Sequence, residues 1–343
     1  MVANTFPVNL QDGRVFIIAE AGLNHNGSPD IAKKLIDVAA QAGVDAVKFQ
    51  KRTVRTLAVQ EVLDAEDNRF PEFGRTYRQI REHLELDWET YVALKKHAEG
   101  LGLVFVCTGF DPEAMDFLQR LGVGILKLAS HSLTNLELLR YVAGLGKPVI
   151  LSTGMAAWEE IDRAVSLLSR VPLALLHCVS SYPTPVAECN LAMIAKLKER
   201  YQLPVGYSGH ELGYLPSVAA AAMGACILER HITLDAGMTG FDHKISLEPE
   251  ALAALVRDVR MVESMRGDGH KKVSDQEQVT RNKYHVSMVS ARAIKAGERL
   301  LPEMITWRNP GTGIPAKEAE RWLGRILAVD VGLDVLMRPD MFA

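Results

Sequence analysis

Residues 103–153, LVFVCTGFDPEAMDFLQRLGVGILKLASHSLTNLELLRYVAGLGKPVILST, alternate short apolar runs with longer amphipathic ones. The pattern predicts strands at 103–108, 124–130 and 148–153 and helices at 112–121 and 134–144, with short connections. Each strand closes on a residue that a buried strand would not choose: Thr108, then Lys127 and Ser130, then Ser152. Apolar strands alternating with helices read as a parallel sheet covered by helices.

The same rhythm runs in both directions. Upstream, FIIAE ends at Glu20, and DAVKFQ carries Lys48 and Gln50. Downstream, LALLHC reaches His177, PVGYSGH carries Ser208 and His210, and CILERH carries Glu229 and His231. These runs predict further strands at 15–21, 45–50, 173–180, 204–208 and 225–233. Helices follow at 87–100, 157–168, 190–200, 213–223 and 249–265, and an earlier one is capped by Ser28, starts at Pro29 and stops near Gly43. Eight such units predict an α/β fold of the (β/α)8 TIM-barrel class, whose functional groups gather at the C-terminal strand ends. Residues 52–86, including NRFPEFGRTYRQIREHLEL, interrupt the repeat and read as a wall or lid at that end.

The 343 residues accommodate one barrel of roughly 250 residues and a small appendage. The division expected is a barrel domain at 1–265, a polar linker at 266–283 and a small, mostly β domain at 284–343. A net charge of −3 gives no electrostatic case for nucleic acid or for a membrane surface, and no apolar run approaches a membrane span. The opening MVANTFPVNLQDG lacks the basic-then-apolar order of a signal peptide. Cys107, Cys178, Cys189 and Cys226 form no CxxC pair and read as buried free thiols, which suits a reducing cytoplasm.

Two lysines among apolar neighbours, Lys48 and Lys127, are either internal ion pairs or ammonium groups that hold an anion. Thr108, Ser130, Ser152 and Ser208 add hydroxyl donors, so a small dianion rich in acceptor oxygens suits the floor. His210 and His231, on adjacent strand tips with Glu20 on the next strand round, suggest a divalent-metal pair, with Mn²⁺ or Mg²⁺ favoured over a closed zinc site. His177 reads equally as a core hydrogen bond or a site contact. Asp242 reads as a helix cap or a hydroxyl acceptor, and Glu229 as an ion pair with the adjacent Arg230. Glycines 109, 154 and 209, each following a hydroxyl residue, let a ligand approach the backbone.

In their order and spacing, IIAEAGLNHNGS, AVKFQK, LSTGM, HCVSSYPTP, GYSGHELG, ERHITLD and DHKISLEP resemble the sialic acid synthase family. IKAGERL and NPGTGIP resemble that family's C-terminal antifreeze-like (SAF) domain, and the resemblance spans Val15 to Val331. It implies a transferase that joins phosphoenolpyruvate to an N-acetylmannosamine-type sugar, its 6-phosphate or a diacetamido-6-deoxy relative, releasing phosphate and giving a nonulosonic acid. By position, phosphoenolpyruvate would be held by Lys48, Thr108, Lys127, Ser130, Ser152, Ser180 and Ser208. The metal, Mn²⁺ with Mg²⁺ or Co²⁺ as alternatives, would sit on His210 and His231. Glu20, Gln50, Tyr182 and Asp242 would serve the sugar, with Glu20, Lys48, Gln50 and Asp242 at the chemistry.

The resemblance also implies a homodimer in which each SAF domain serves the partner's barrel. Three positions depart from the common pattern: Ser180 where Asn is frequent, Gly209 where some members have Asp, and Asn309 after Arg308 where bacterial members place Arg. Arg308 and Asn309 are the candidates for the sugar's acyl group. Arg75 or Arg78 is either the contact to a phosphorylated sugar or surface helix charge. The alternatives are a pyruvate aldolase working through a Schiff base on Lys127 or with the metal alone, and a non-catalytic sugar-binding protein of polysaccharide assembly.

Overall fold

In the computed structural model, residues 6, 8, 10 and 13–343 are described, and most of the stretch read for a signal peptide lies outside them. The chain divides into two compact units, Met1–Gly267 and Asp268–Ala343.

In the first unit, eight parallel strands close into a barrel in sequence order. They are β1 (Phe16–Gly22), β2 (Ala46–Lys51), β3 (Val104–Gly109), β4 (Leu126–Leu128), β5 (Val149–Ser152), β6 (Leu173–Cys178), β7 (Val205–Gly209) and β8 (Ile227–His231). The main crossover helices are α1 (Pro29–Ala42), α4 (Trp88–Gly100), α5 (Pro112–Arg120), α6 (Leu136–Gly144), α7 (Trp158–Leu167), α8 (Met193–Tyr201), α9 (Leu215–Ala222) and α10 (Pro249–Arg266). Two further short helices, α2 (Gln60–Leu63) and α3 (Tyr77–His83), belong to the long insertion after β2.

The helix boundaries follow local chemistry. Ser28 Oγ accepts a hydrogen bond from Ile31 N at 3.3 Å to open α1, and Gly43 ends it in the left-handed region at φ 78°. Asp111 caps α5 by accepting from Ala114 N, and it also accepts from Thr53 N and Oγ1, which pins the start of the insertion.

Strand alternation sorts the side chains into two cores. Outward-facing Ile17, Val47, Phe49, Phe105, Cys107, Leu151 and Leu175 pack under the helices. Inward-facing Ile18, Ala46, Val106, Ile125, Ile150, Ala174, Leu176 and Ile227 fill the barrel as an apolar layer. Fully burying each large aliphatic side chain contributes about 1.5–3 kcal/mol, so the interior is a packed floor and not a pore. Gly206 shows how tight that floor is. A β-carbon there would collide with the Ile227 carbonyl and lie 2.7 Å from Leu176 Cδ2.

One step further along each strand the inward residues turn polar. The parallel registers set Glu20 opposite both Lys48 and His231, Gln50 opposite Thr108, Thr108 opposite Lys127, and Ser208 opposite Glu229. The insertion packs through Ile80 of α3 and Leu84 just beyond it against Leu23, with Phe70, Phe73 and Phe241 around them.

The second unit begins within the stretch read as a linker, where α11 (Asp275–Tyr284) forms. Its start is a reciprocal cap: Glu277 N donates to Ser274 Oγ, and Ser274 N donates to Glu277 Oε2. Beyond it, β9 (Ser287–Ser290) and β10 (Ile305–Arg308) pair antiparallel, and α12 (Ala319–Trp322) follows. Met288, Ile294, Leu300, Met304, Trp322 and Met337 belong to a small core of this unit. Among the described residues, no helix is long and apolar enough to cross a membrane.

Candidate active site

The C-terminal strand ends enclose a cavity of about 250 Å³ lined mainly by polar and ionisable side chains. A larger groove of about 780 Å³ lies outside the barrel between α1 and α4, where Lys33, Glu89 and Lys96 stand on the helices and not at the strand ends. The smaller cavity is the candidate site.

Lys48 is the hub. Its Nζ lies 2.8 Å from Glu20 Oε2 and 3.7 Å from Glu229 Oε1, and it donates to Thr108 Oγ1 at 3.0 Å. All of these side chains are buried. Burial disfavours the charged amine, but Glu20 and Glu229 outweigh it and hold the Lys48 pKa above its ordinary value. Lys127 Nζ donates to Ser152 Oγ at 2.6 Å and to the Leu128 carbonyl at 2.9 Å. Its pKa is lowered, chiefly by burial, which Glu229 opposes and Lys48 reinforces. Gln50 Nε2 donates to Glu20 Oε1 at 2.6 Å, holding the carboxylate from its other side.

Hydroxyls crowd the opposite wall. Ser130 Oγ accepts from Gly154 N at 3.0 Å, and Ser180 Oγ stands near Cys178 Sγ. A β-carbon at Gly154 would strike both hydroxyls, so that position is glycine for space.

His210 and His231 face each other with ring centroids 5.5 Å apart, and Tyr182 leans over His210 at 4.2 Å. His210 Nδ1 donates to the Val179 carbonyl at 3.0 Å, which leaves Nε2 as the lone-pair nitrogen. Burial, then His231, lowers the His210 pKa to about 4, so the ring is neutral at physiological pH. His231 Nδ1 is buried without a hydrogen-bond partner, 3.8 Å from Asp242 Oδ2. A neutral imidazole oriented by a carbonyl beside an orphaned imidazole nitrogen fits a pair of metal ligands. Among the described residues, no group of three or more His, Cys, Asp or Glu side chains is arranged to hold an ion, so these two rings would need ligands from substrate or water.

Most of the residues singled out in the sequence meet here: Glu20, Lys48, Gln50, Thr108, Lys127, Ser130, Ser152, Ser180, Tyr182, Ser208, His210 and His231 line the one cavity. Asp242 reaches its edge through His231. Others of the first unit do not line it. His177 Nε2 donates to the Cys189 carbonyl at 2.8 Å, a core hydrogen bond. Arg75 is exposed, and Arg78 pairs with Asp64 at 2.7 Å. Arg308, in the second unit, is exposed and pairs with Asp334 at 2.7 Å, and Asn309 is exposed beside it.

The expected Glu229–Arg230 pair is absent because neighbouring strand residues point to opposite faces. Arg230 turns outward to Glu211, 2.6 Å away, while Glu229 turns inward and accepts from Ser208 Oγ at 3.1 Å. Burial would raise the Glu229 pKa, but Lys127 and Lys48 overcome it and lower it, so this carboxylate belongs to the cavity. Phe110, His131 and Met155 also line it without having been singled out, as does Cys178, which the sequence marked only as a buried thiol. Only their places at or within a few residues of a strand end could have marked them.

Residues 35–271 match the NeuB family, more than half of the chain. The chain belongs to the NeuB family. Residues 285–343 match the SAF domain, so the NeuB-family barrel and the small C-terminal domain occur together here. The chain is 41% identical over 334 residues to N,N'-diacetyllegionaminic acid synthase of Campylobacter jejuni, covering 95% of this chain and 99% of that one. It is 35% identical to N-acetylneuraminate-9-phosphate synthase of Homo sapiens, covering 93% and 90%. Among solved structures it resembles the N-acetylneuraminic acid (sialic acid) synthetase of Leptospira borgpetersenii. That match has a TM-score of 0.68 at 37% identity and covers 78% of this chain and 90% of that one. These NeuB-family relatives are nonulosonic acid synthases.

Proposed function

We propose that this protein condenses phosphoenolpyruvate with an acetamido-mannose-type sugar to give a nonulosonic acid and inorganic phosphate. The observation that carries this reading is the cavity floor, where Lys48 and Lys127 stand among five serine and threonine hydroxyls and face two imidazoles across the same mouth. A dense set of N–H and O–H donors matches an enol phosphate, which has acceptor oxygens on both its phosphoryl and carboxylate groups. The relatives include a synthase of a 9-phosphate and one of a diacetylated acid, so family membership leaves the acceptor open.

In this reading Lys48, Lys127 and the hydroxyls of Thr108, Ser130, Ser152, Ser180 and Ser208 hold phosphoenolpyruvate in register with the sugar aldehyde. The methylene carbon of phosphoenolpyruvate forms a bond to the aldehyde carbon, and the carbonyl oxygen takes up a proton. Positive charge develops at the enol carbon, and Glu20 lies where a carboxylate stabilises it. Water adds at that carbon and gives up a proton, and Glu20, gripped by Lys48 and Gln50, manages the exchange. The tetrahedral intermediate then breaks its C–O bond, releasing phosphate and leaving the 2-keto acid. A divalent ion, Mn²⁺ by preference, would be held by His210 and His231 and would polarise the aldehyde when bound. Asp242, Gln50 and Tyr182 are placed to orient the sugar.

A cytoplasmic homodimer, with Arg308 and Asn309 of each SAF domain serving the partner's barrel, is part of the same reading, and sedimentation of the purified protein tests it. The function itself is tested by phosphate release from phosphoenolpyruvate with a panel of acetamido-mannose acceptors, with and without Mn²⁺. Acceptor-dependent release supports the condensation. Turnover of pyruvate without phosphate, with a lysine adduct trapped by borohydride, would replace it with the aldolase, for which the lowered pKa of the buried Lys127 is the supporting feature.

A further inference from the structure

Arg52 follows the last residue of β2 and is buried, yet its Nη1 has no hydrogen-bond partner. Arg81, on α3, likewise has an unpartnered, buried Nε. The two guanidinium groups stand close enough to repel: burial first, and then Arg81, brings the Arg52 pKa down to about 10. Glu85 offsets part of the Arg52 charge, but its carboxylate is already engaged by Lys51 Nζ at 2.6 Å and by the Arg52 backbone N–H at 3.3 Å. Buried charge of one sign that is only partly compensated is costly, and an added anion would complete it.

The pair adjoins the mouth cavity. The Arg52 guanidinium donates to Gln50 Oε1 and lies over Phe110 at 4.0 Å, and His131 stacks on Phe110 at 4.8 Å. Gln50, Phe110 and His131 all line that cavity. Arg81 is braced by Tyr77 at 4.9 Å and Phe241 at 4.3 Å, so its plane is fixed by packing. A planar, braced guanidinium suits a tetrahedral oxyanion.

We propose that Arg52 and Arg81, with His131 beside them, form a second oxyanion subsite at the rim of the cavity, and that it takes the phosphoryl group of a sugar-phosphate acceptor. This rests on the condensation reading and narrows its acceptor. The Lys48–Lys127 floor serves the enol phosphate, so a separate cationic site needs a second phosphoryl group. Inorganic phosphate leaving after C–O cleavage offers the same chemistry, and the test separates the two sources.

Wild type, Arg81→Gln and Arg81→Lys are titrated calorimetrically with acetamido-mannose, its 6-phosphate and inorganic phosphate, and kcat/KM is measured for both sugars. Charge-assisted hydrogen bonds at such a site are worth roughly 10- to 100-fold in affinity. Wild type should prefer the 6-phosphate by about that factor in both binding and kcat/KM. In Arg81→Gln the ratio should fall toward one, and Arg81→Lys should restore part of it. Equal use of both sugars, with phosphate inhibition relieved in Arg81→Gln, would overturn the acceptor assignment and give the subsite to the released phosphate. No preference and no phosphate effect in any variant overturns the subsite. If no sugar condenses at all, the functional reading fails, and the titrations still decide the subsite.

Discussion

Glu211 and Arg230 form an ion pair of 2.6 Å with both side chains sealed from solvent, directly behind the strand tips that carry His210 and His231. Arg230 also donates to the Glu211 carbonyl at 2.8 Å and to Ser217 Oγ at 3.1 Å, and Tyr207 Oη donates to Glu211 Oε2 at 2.8 Å. Each member of the pair is the chain neighbour of one imidazole, so the network sets the spacing between the rings.

Removing one partner of a buried pair strands the other charge and costs about 3–5 kcal/mol. Glu211→Ala is expected to lose that much stability in chemical denaturation. Glu211→Gln, which keeps the volume, should lose less but still weaken Mn²⁺ binding measured by electron paramagnetic resonance. Unchanged Mn²⁺ affinity in Glu211→Gln would show that the pair only supports the fold.

Lys48 meets Glu20, Glu229 and Thr108 at one nitrogen. Lys48→Ala is expected to weaken phosphoenolpyruvate binding roughly 10- to 100-fold, the usual range for a lost charged hydrogen bond, and to lower kcat as Glu20 loses its partner. Wild-type phosphoenolpyruvate affinity in this variant, measured by calorimetry, would remove Lys48 from the anion floor.

His25 is buried, and burial first, then the Arg52 charge, lowers its pKa to about 4 from an ordinary 6.5. The folded state therefore keeps His25 neutral where the unfolded chain takes a proton. The stability held above pH 6.5 is lost as the pH falls from 6.5 toward 4, by up to about 3 kcal/mol at the acid end. His131, His177, His210 and His243 are also lowered by burial and act in the same direction. The informative quantity is thus the stability difference between wild type and His25→Gln at pH 5 and at pH 7.5. It should shrink at pH 5, and a constant difference would rule the effect out.

Gly206 has no room for a β-carbon beside Ile227 and Leu176. Gly206→Ala should cost about 1–3 kcal/mol through overpacking of the barrel floor. A melting temperature equal to wild type would mean that the interior yields more easily than its packing implies.

The barrel and its polar rim were legible in the sequence because two signals coincide: apolar strand runs, and lysines, hydroxyls and histidines at their ends. Lys48, Lys127, His210 and His231 stand out for that reason, since a wholly buried strand has no use for them. Glu229 was misread because adjacency in sequence suggested a pair with Arg230, whereas strand geometry sends neighbours to opposite faces. The true partner of Arg230, Glu211, lies on another element, and charge pattern along the chain does not reveal it. Arg52 and Arg81 escaped for the opposite reason. Arginines in a polar insertion look like surface charge, as Arg75 and Arg78 do, and only packing shows which of them face inward. The helix Asp275–Tyr284 was hidden by a polar composition that offers no apolar stripe.

Beneath the charged tier, Ile18, Val106, Ile150 and Leu176 stopper the barrel, leaving it open at one end. A cul-de-sac imposes an order on its visitors. In the proposed reaction, the reactant held by the two ammonium groups would enter before its companion, and whatever lay deepest would leave last.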